Sequence, residues 1–103
     1  MREIALAYLD KTRPVLVLTR ELARPAMTKV TVAPVTTTIK GLSSELRLDV
    51  RNGLEVECVA SLDNVMTIPT TALGRTIGYL TEAQEAELAR SIILAFDLDV
   101  SIH

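Results

Sequence analysis

Glu45-Leu46-Arg47-Leu48-Asp49-Val50-Arg51-Asn52-Gly53-Leu54 is the stretch on which the fold of this 103-residue chain turns. Its first six residues alternate polar and apolar without a break. That period of two belongs to a strand with one wet face and one buried face. Asn52-Gly53 follows, and both residues tolerate positive φ, so the pair predicts a tight type I′ hairpin. Residues 54–68 then return as one long, bent strand.

The pattern continues on both sides. Upstream, Ile4 to Leu9 reads as a short strand and Asp10-Lys11-Thr12 as a turn. Pro14 to Thr19 is an almost continuous apolar run, as in a strand buried on both faces, with Arg13 standing just before it. Glu21 to Met27 reads as a connector in which Pro25 breaks any helix. Lys29 to Thr38 is the next strand. Pro34 cannot donate to a ladder, so it implies an edge or a bulge, and a bulge would re-aim the side chains beyond it. Lys40 to Ser44 is a loop. Downstream, Pro69 to Gly74 is a link and Arg75 to Leu80 a final strand. Thr81-Glu82-Ala83-Gln84 forms a capping box that opens a helix reaching about Phe96. Leu88, Ala89, Ile92, Ile93 and Phe96 make its core stripe. Five or six short strands followed by one helix predict a mainly β chain with a small, strongly curved antiparallel barrel, the helix covering one side.

Bulk properties narrow the class. The length fits one domain over residues 1–103. Hydrophobic residues make up 49% of the chain but aromatics only 3%, so the core must be aliphatic. A domain this small gains from oligomerisation. No apolar run reaches the roughly 18 residues of a membrane span, and the N-terminus starts directly with strand-like sequence, without a signal peptide. Cys58 is the only cysteine, so no internal disulfide can form, and a reducing cytoplasm is the expected location. The net charge of −2 hides an asymmetry: residues 1–53 carry nine Lys/Arg against five Asp/Glu, and residues 54–103 carry two against eight. Cations gathered on one face can attract a polyanion whatever the total.

Much chemistry is excluded by composition. With one cysteine and one histidine, His103, zinc and iron–sulfur sites and a histidine-pair ribonuclease are ruled out. No GxGxxG, GxxxxGK[ST] or GxSxG pattern occurs. Asp49, Glu57 and Asp63 could bind a metal, but their spacing is not diagnostic, and neither metal nor cofactor is expected. What remains is arginine, threonine and lysine. In Val35-Thr36-Thr37-Thr38-Ile39-Lys40-Gly41 a β-rich run gives way to three hydroxyls, a cation and a flexible backbone, a good grip for phosphate. RNA brings its own nucleophile, the 2′-hydroxyl. A protein that cuts it need only align that hydroxyl with the leaving oxygen and stabilise charge on phosphorus. A guanidinium suits the second task.

The residues carry a resemblance. Arg13-Pro14-Val15-Leu16-Val17-Leu18 resembles the corresponding strand of MazF/PemK-type toxins. Val32 to Gly41 resembles their next strand and loop. Leu62 to Ile68 resembles their third block, and Leu73 to Leu80 their last strand before the helix. The similarity runs in order over nearly the whole chain. It implies an SH3-like barrel of the MazF/PemK/CcdB kind, a homodimer, and a sequence-specific, metal-independent endoribonuclease acting on single-stranded RNA. It also implies a cognate MazE-like antitoxin that lies over the RNA groove. The family's catalytic arginine falls on Arg13 and its catalytic threonine on Thr36. Thr37, Thr38 and Lys40 fall where family members contact RNA, and Asp63 and Asn64 at a position that helps read bases. Arg75, in the last strand, is a candidate RNA contact whose own sequence reads equally as a groove cation or an ordinary surface charge. Two departures stand out. Only Asp10-Lys11-Thr12 replaces the usual longer loop before the RP pair, and Met66 stands where many relatives carry a basic residue.

Two other classes fit the same barrel. One is a non-catalytic SH3-like binding module. The other is a toxin that poisons a topoisomerase. Neither needs Arg13 and Thr36 together.

Overall fold

The computed structural model describes residues 1–100; His103 lies outside them. The predicted alternation forms strand β4 (Glu45–Leu48), with Leu46 and Leu48 each 1% exposed and Arg47 turned to solvent. β4 pairs antiparallel with β5 (Cys58–Ser61), matching Leu46 to Ala60 and Leu48 to Cys58. Around this hairpin lie β1 (Glu3–Tyr8), β2 (Thr12–Val17), β3 (Lys29–Thr36), β6 (Met66–Pro69) and β7 (Leu73–Tyr79), then helix α1 (Glu82–Ala95). The strands run in the order β4-β5-β3-β2-β1-β7, with β6 also paired to β3. The result is a curled antiparallel sheet with one C-terminal helix.

β3 is the hub. Its first half, Lys29 to Val32, pairs with β6, and its end, Val35 and Thr36, pairs with β5. Pro34 falls between these partners while matching Val15 of β2 on the other side. So β3 is central, not an edge strand. The proline's missing N–H comes where that edge changes partner, which makes it tolerable. Two aliphatic cores result. Ile4, Leu16, Val35, Leu46, Leu48, Leu62 and Leu88 pack together in one. Ala5, Val15, Val17, Val30, Val32 and Ile68 fill the other.

Several expectations need correction. Asn52-Gly53 is not a two-residue hairpin tip. A 3-10 turn, Val50–Asn52, intervenes, capped by Asp49 and ended by Gly53 at φ 82°. Asn52 is fully buried because its amide donates to Tyr79 O at 2.9 Å and to Gln84 Oε1 at 2.7 Å. The returning segment is not one strand: residues 54–57 are irregular, and a 3-10 turn, Leu62–Asn64, separates β5 from β6. That break lets two short strands follow the bend of β3. Arg13 lies inside β2, and β7 begins at Leu73. Pro25 sits within a 3-10 turn, Glu21–Ala26, that buries no residue. Among the described residues there are seven strands, not five or six.

The capping box forms as predicted: Thr81 Oγ1 accepts from the Gln84 N–H at 3.1 Å, and Gln84 Oε1 from the Thr81 N–H at 3.0 Å. The buried face of α1 is rotated from the predicted stripe. Gln84, Leu88 and Ser91 are buried, and Ile92 and Ala95 pack on the first core. Ala89 is exposed, and so is Phe96 just beyond α1. Gln84 moves the face, because its hydrogen bonds to Asn52 let a polar residue occupy a core position.

Candidate active site

Where β2 begins and β3 ends, the sheet opens into a cavity of about 440 Å³ lined by both Arg13 and Thr36. Thr37 and Arg75 also line it, over an apolar floor of Leu6, Pro14, Val35 and Ile77. The segment from Gly53 to Val56, with Glu55, closes one side, and Cys58 reaches it from β5.

Arg13 comes from the regular β1–β2 ladder, whereas Thr36 and Arg75 are placed by local irregularities. Thr36 is the last residue of β3, so the chain turns at once, and its Oγ1 accepts the Thr38 N–H at 3.1 Å. With that lone pair engaged, the hydroxyl proton is left to donate elsewhere. Arg13 has one loose ion pair among the described residues, Nε to Asp10 Oδ1 at 3.8 Å. Arg75 arrives through β7, whose register against β1 slips twice. Ala5 opposes Thr76 while Ala7 opposes Leu73, so one extra residue bulges at Gly74-Arg75; Ile4 opposing Gly78 adds a second bulge at Ile77. Bulges re-aim side chains, and both Arg75 and Ile77 line the cavity.

The wall opposite is held by close backbone packing. A Cβ on Gly53 would come within 1.9 Å of Ile77 O, and one on Gly78 within 1.8 Å of Asn52 O. Only glycine at both positions lets the 3-10 turn dock against β7. Beyond Thr36, the loop from Thr37 to Ser44 is tied by Glu45, whose carboxylate accepts N–H groups from Lys40, Gly41 and Leu42 at 3.2, 2.8 and 3.0 Å. Partial desolvation pushes the Glu45 carboxyl up. The backbone bonds from Leu42, Lys40 and Gly41 and the nearby Lys40 charge outweigh it and hold the group below its ordinary value.

The cavity thus brings together Arg13, Thr36, Thr37 and Arg75. Thr38 and Lys40 lie on the exposed loop next to it rather than in its lining. Asp63 and Asn64 sit in the 3-10 turn after β5, also outside the lining. There Asp63 accepts the Ser44 hydroxyl, and Asn64 donates to Ser61 Oγ at 2.7 Å. The wall from Gly53 to Cys58 was invisible in the sequence, because Asn52-Gly53 reads locally as a hairpin tip. Cys58 is 3% exposed. Burial, then the charges of Asp49 and Glu57, push its thiol up, which makes it a neutral filler rather than a nucleophile.

A second cavity, about 500 Å³, lies between the N-terminus and the start of α1. It is larger, but apart from Arg20 and Glu82 its charged groups are engaged with one another or with backbone. Arg2 is held by Glu85 and by the carbonyls of Val17 and Leu18, Arg24 by Glu3, and the N-terminal amine by Glu21 at 3.0 Å. The smaller cavity keeps its cations available. Among the described residues, no cluster of three or more His, Cys, Asp or Glu is placed to hold a metal ion.

A curled antiparallel sheet with one terminal helix, carrying a cavity lined by an arginine and a threonine, is the architecture to be placed among known proteins. Residues 4–96 match the family described as PemK-like, MazF-like toxin of type II toxin-antitoxin system, and the chain belongs to that family. It is 58% identical over 99 residues to Endoribonuclease MazF3 of Mycobacterium tuberculosis, covering 96% of each chain. The solved Mycobacterium tuberculosis toxin MazF-mt6 superposes with a TM-score of 0.93 at 56% identity, covering 96% of this chain and 100% of that one. An endoribonuclease in complex with its cognate antitoxin, from a mycobacterial species, shares the fold at TM-score 0.84 and 18% identity, covering 96% and 95%.

Proposed function

We propose that this chain cuts single-stranded RNA in the cavity between Arg13 and Thr36. As a PemK/MazF-family protein 58% identical to a named endoribonuclease, the chain is an endoribonuclease toxin of a type II toxin–antitoxin module. The observation that carries the site is that Arg13 and Thr36, far apart in sequence, line one cavity together with a second cation, Arg75.

The chemistry follows from the groups present. Thr36 Oγ1, its lone pair held by the Thr38 N–H, donates a hydrogen bond to a non-bridging phosphate oxygen and fixes the phosphate. Arg13 places its planar donors on the charge that builds as the ribose 2′-oxygen attacks phosphorus. Arg75 adds a second positive charge to the cavity. The 2′-oxygen bonds to phosphorus as the bond from phosphorus to the 5′-oxygen of the next nucleotide breaks; the 2′-hydroxyl gives up its proton to water and the departing oxygen takes one from water, leaving a 2′,3′-cyclic phosphate and a 5′-hydroxyl. A guanidinium stays protonated near pH 7, so Arg13 acts by charge rather than by taking the proton. Thr37, Thr38 and Lys40 hold flanking phosphates, and Asp63 and Asn64, outside the cavity, contact bases.

The rest of the reading is that of a single-domain toxin that works as a homodimer in the cytoplasm and is silenced by a MazE-like antitoxin lying over the same groove. No helix among the described residues is long and apolar enough to cross a membrane. Mapping cleavage ends on a defined RNA in EDTA tests this scheme. Cyclic-phosphate and 5′-hydroxyl ends are expected; 5′-phosphate ends, or cutting that EDTA stops, would refute it.

A further inference from the structure

We propose that Glu45 is a positioning residue for RNA binding, its carboxylate gathering the backbone of the loop after Thr36 so that Lys40 is held ready for a phosphate. The inference rests on the site reading above and goes beyond it. Three consecutive backbone N–H groups, of Lys40, Gly41 and Leu42, converge on this one side chain at 3.2, 2.8 and 3.0 Å. The Glu45 N–H closes the loop from the other side, donating to Leu42 O at 3.1 Å. The geometry requires Gly41 at φ 78°, yet a Cβ there would meet nothing within 4 Å, so this glycine serves the turn rather than any packing.

The anchor itself is rigid. Glu45 is the first residue of β4, registered against Ser61, and the next residue, Leu46, is 1% exposed in the core. The loop is therefore tied to the sheet by a short, ionised strap. This also explains how a carboxylate is tolerated beside a surface meant for phosphate: three N–H dipoles already occupy its oxygens. Without the strap, three donors return to water and the lysine loses its fixed place, so ordering the loop must be done at the moment RNA binds.

The test measures RNA cleavage and binding at several salt concentrations for Glu45→Ala, Lys40→Ala and the double variant. Glu45→Ala should raise KM about tenfold, with a smaller change in kcat, and should lower the slope of log affinity against log salt by about one, as Lys40→Ala does. The double variant should be no worse than Lys40→Ala, because the two residues act in series. Glu45→Gln retains an acceptor for Gly41 and Leu42 and should raise KM only about threefold. A folded Glu45→Ala protein with wild-type KM and salt slope would overturn the inference, as would a double variant whose loss is the sum of the singles. If Glu45→Ala does not fold, Glu45→Gln decides, and an unchanged KM there overturns it. An impaired Lys40→Ala beside a normal Glu45→Ala removes only the role of Glu45. A normal Lys40→Ala removes the phosphate contact assigned to that lysine, and the inference falls with it.

Discussion

Asn52 and Gln84 exchange two hydrogen bonds in the interior: Asn52 Nδ2 donates to Gln84 Oε1 at 2.7 Å, and Gln84 Nε2 donates to Asn52 Oδ1 at 3.0 Å. The pair joins the 3-10 turn behind the cavity wall to the first turn of α1. Gln84 Nε2 also reaches Arg47 O at 3.3 Å, and Asn52 Oδ1 also accepts the Asp49 N–H at 3.1 Å. No buried side-chain polar atom among the described residues lacks a partner. Truncating either amide strands the other in a dry interior. Asn52→Ala should therefore cost about 3 kcal/mol, read as a lower urea midpoint with an unchanged slope. A loss under about 0.5 kcal/mol, within the range of ordinary surface substitutions, would show that the network does not hold the wall.

The glycines predict a graded series. Gly53→Ala and Gly78→Ala place a Cβ inside 2 Å of a backbone carbonyl oxygen, so the 3-10 turn must lift off β7. Gly41→Ala meets only conformational strain at φ 78°, at about 1–2 kcal/mol. Thermal melts should rank Gly41→Ala well above the other two. Equal melting points would contradict the close docking of the 3-10 turn on β7.

Acid titration has a definite sign. Glu45 and Asp49 both have folded-state carboxyls below their ordinary values of 4.5 and 3.8, Asp49 first through the Arg51 side-chain hydrogen bond. A lowered folded pKa gives stability that is present above the ordinary value and lost as pH falls through the folded one. Acid unfolding should therefore set in below about pH 4. Removing both groups, as Glu45→Gln with Asp49→Asn, should flatten that limb, as followed by circular dichroism.

Cys58 gives the opposite case. Its thiol is raised from 9.0, so the folded protein binds its proton more tightly than the unfolded chain. The stability this contributes is complete below pH 9.0 and fades above it. Iodoacetamide at pH 8 should label the native protein far more slowly than the urea-unfolded protein. Equal rates would contradict a buried, neutral thiol.

How far the sequence disclosed this arrangement depended on how local each feature was. The alternation around Leu46 and Leu48 and the Thr81–Gln84 box depend on neighbours within a few residues, and both formed as read. Asn52 misled because its partners, Tyr79 and Gln84, lie 27 and 32 residues away. Turn chemistry registers the positive φ of Gly53 and nothing of that burial. The same pair turned α1, since an apolar count cannot see a glutamine at a core position. Arg13 alone looks like any surface arginine ahead of a strand, and only the resemblance singled it out. The double bulge that brings Arg75 to the cavity comes from β1 and β7 meeting across the whole chain, and nothing in Leu73 to Tyr79 announces it.

In the proposed mechanism Arg13 and Thr36 act on one phosphate. Cleavage of a defined RNA in EDTA by the wild type, Arg13→Ala and Thr36→Val, each checked for folding by circular dichroism, tests it most directly. Folded variants are expected in which Arg13→Ala abolishes cutting and Thr36→Val slows it by about 100-fold. Undiminished cleavage by folded Arg13→Ala would contradict it.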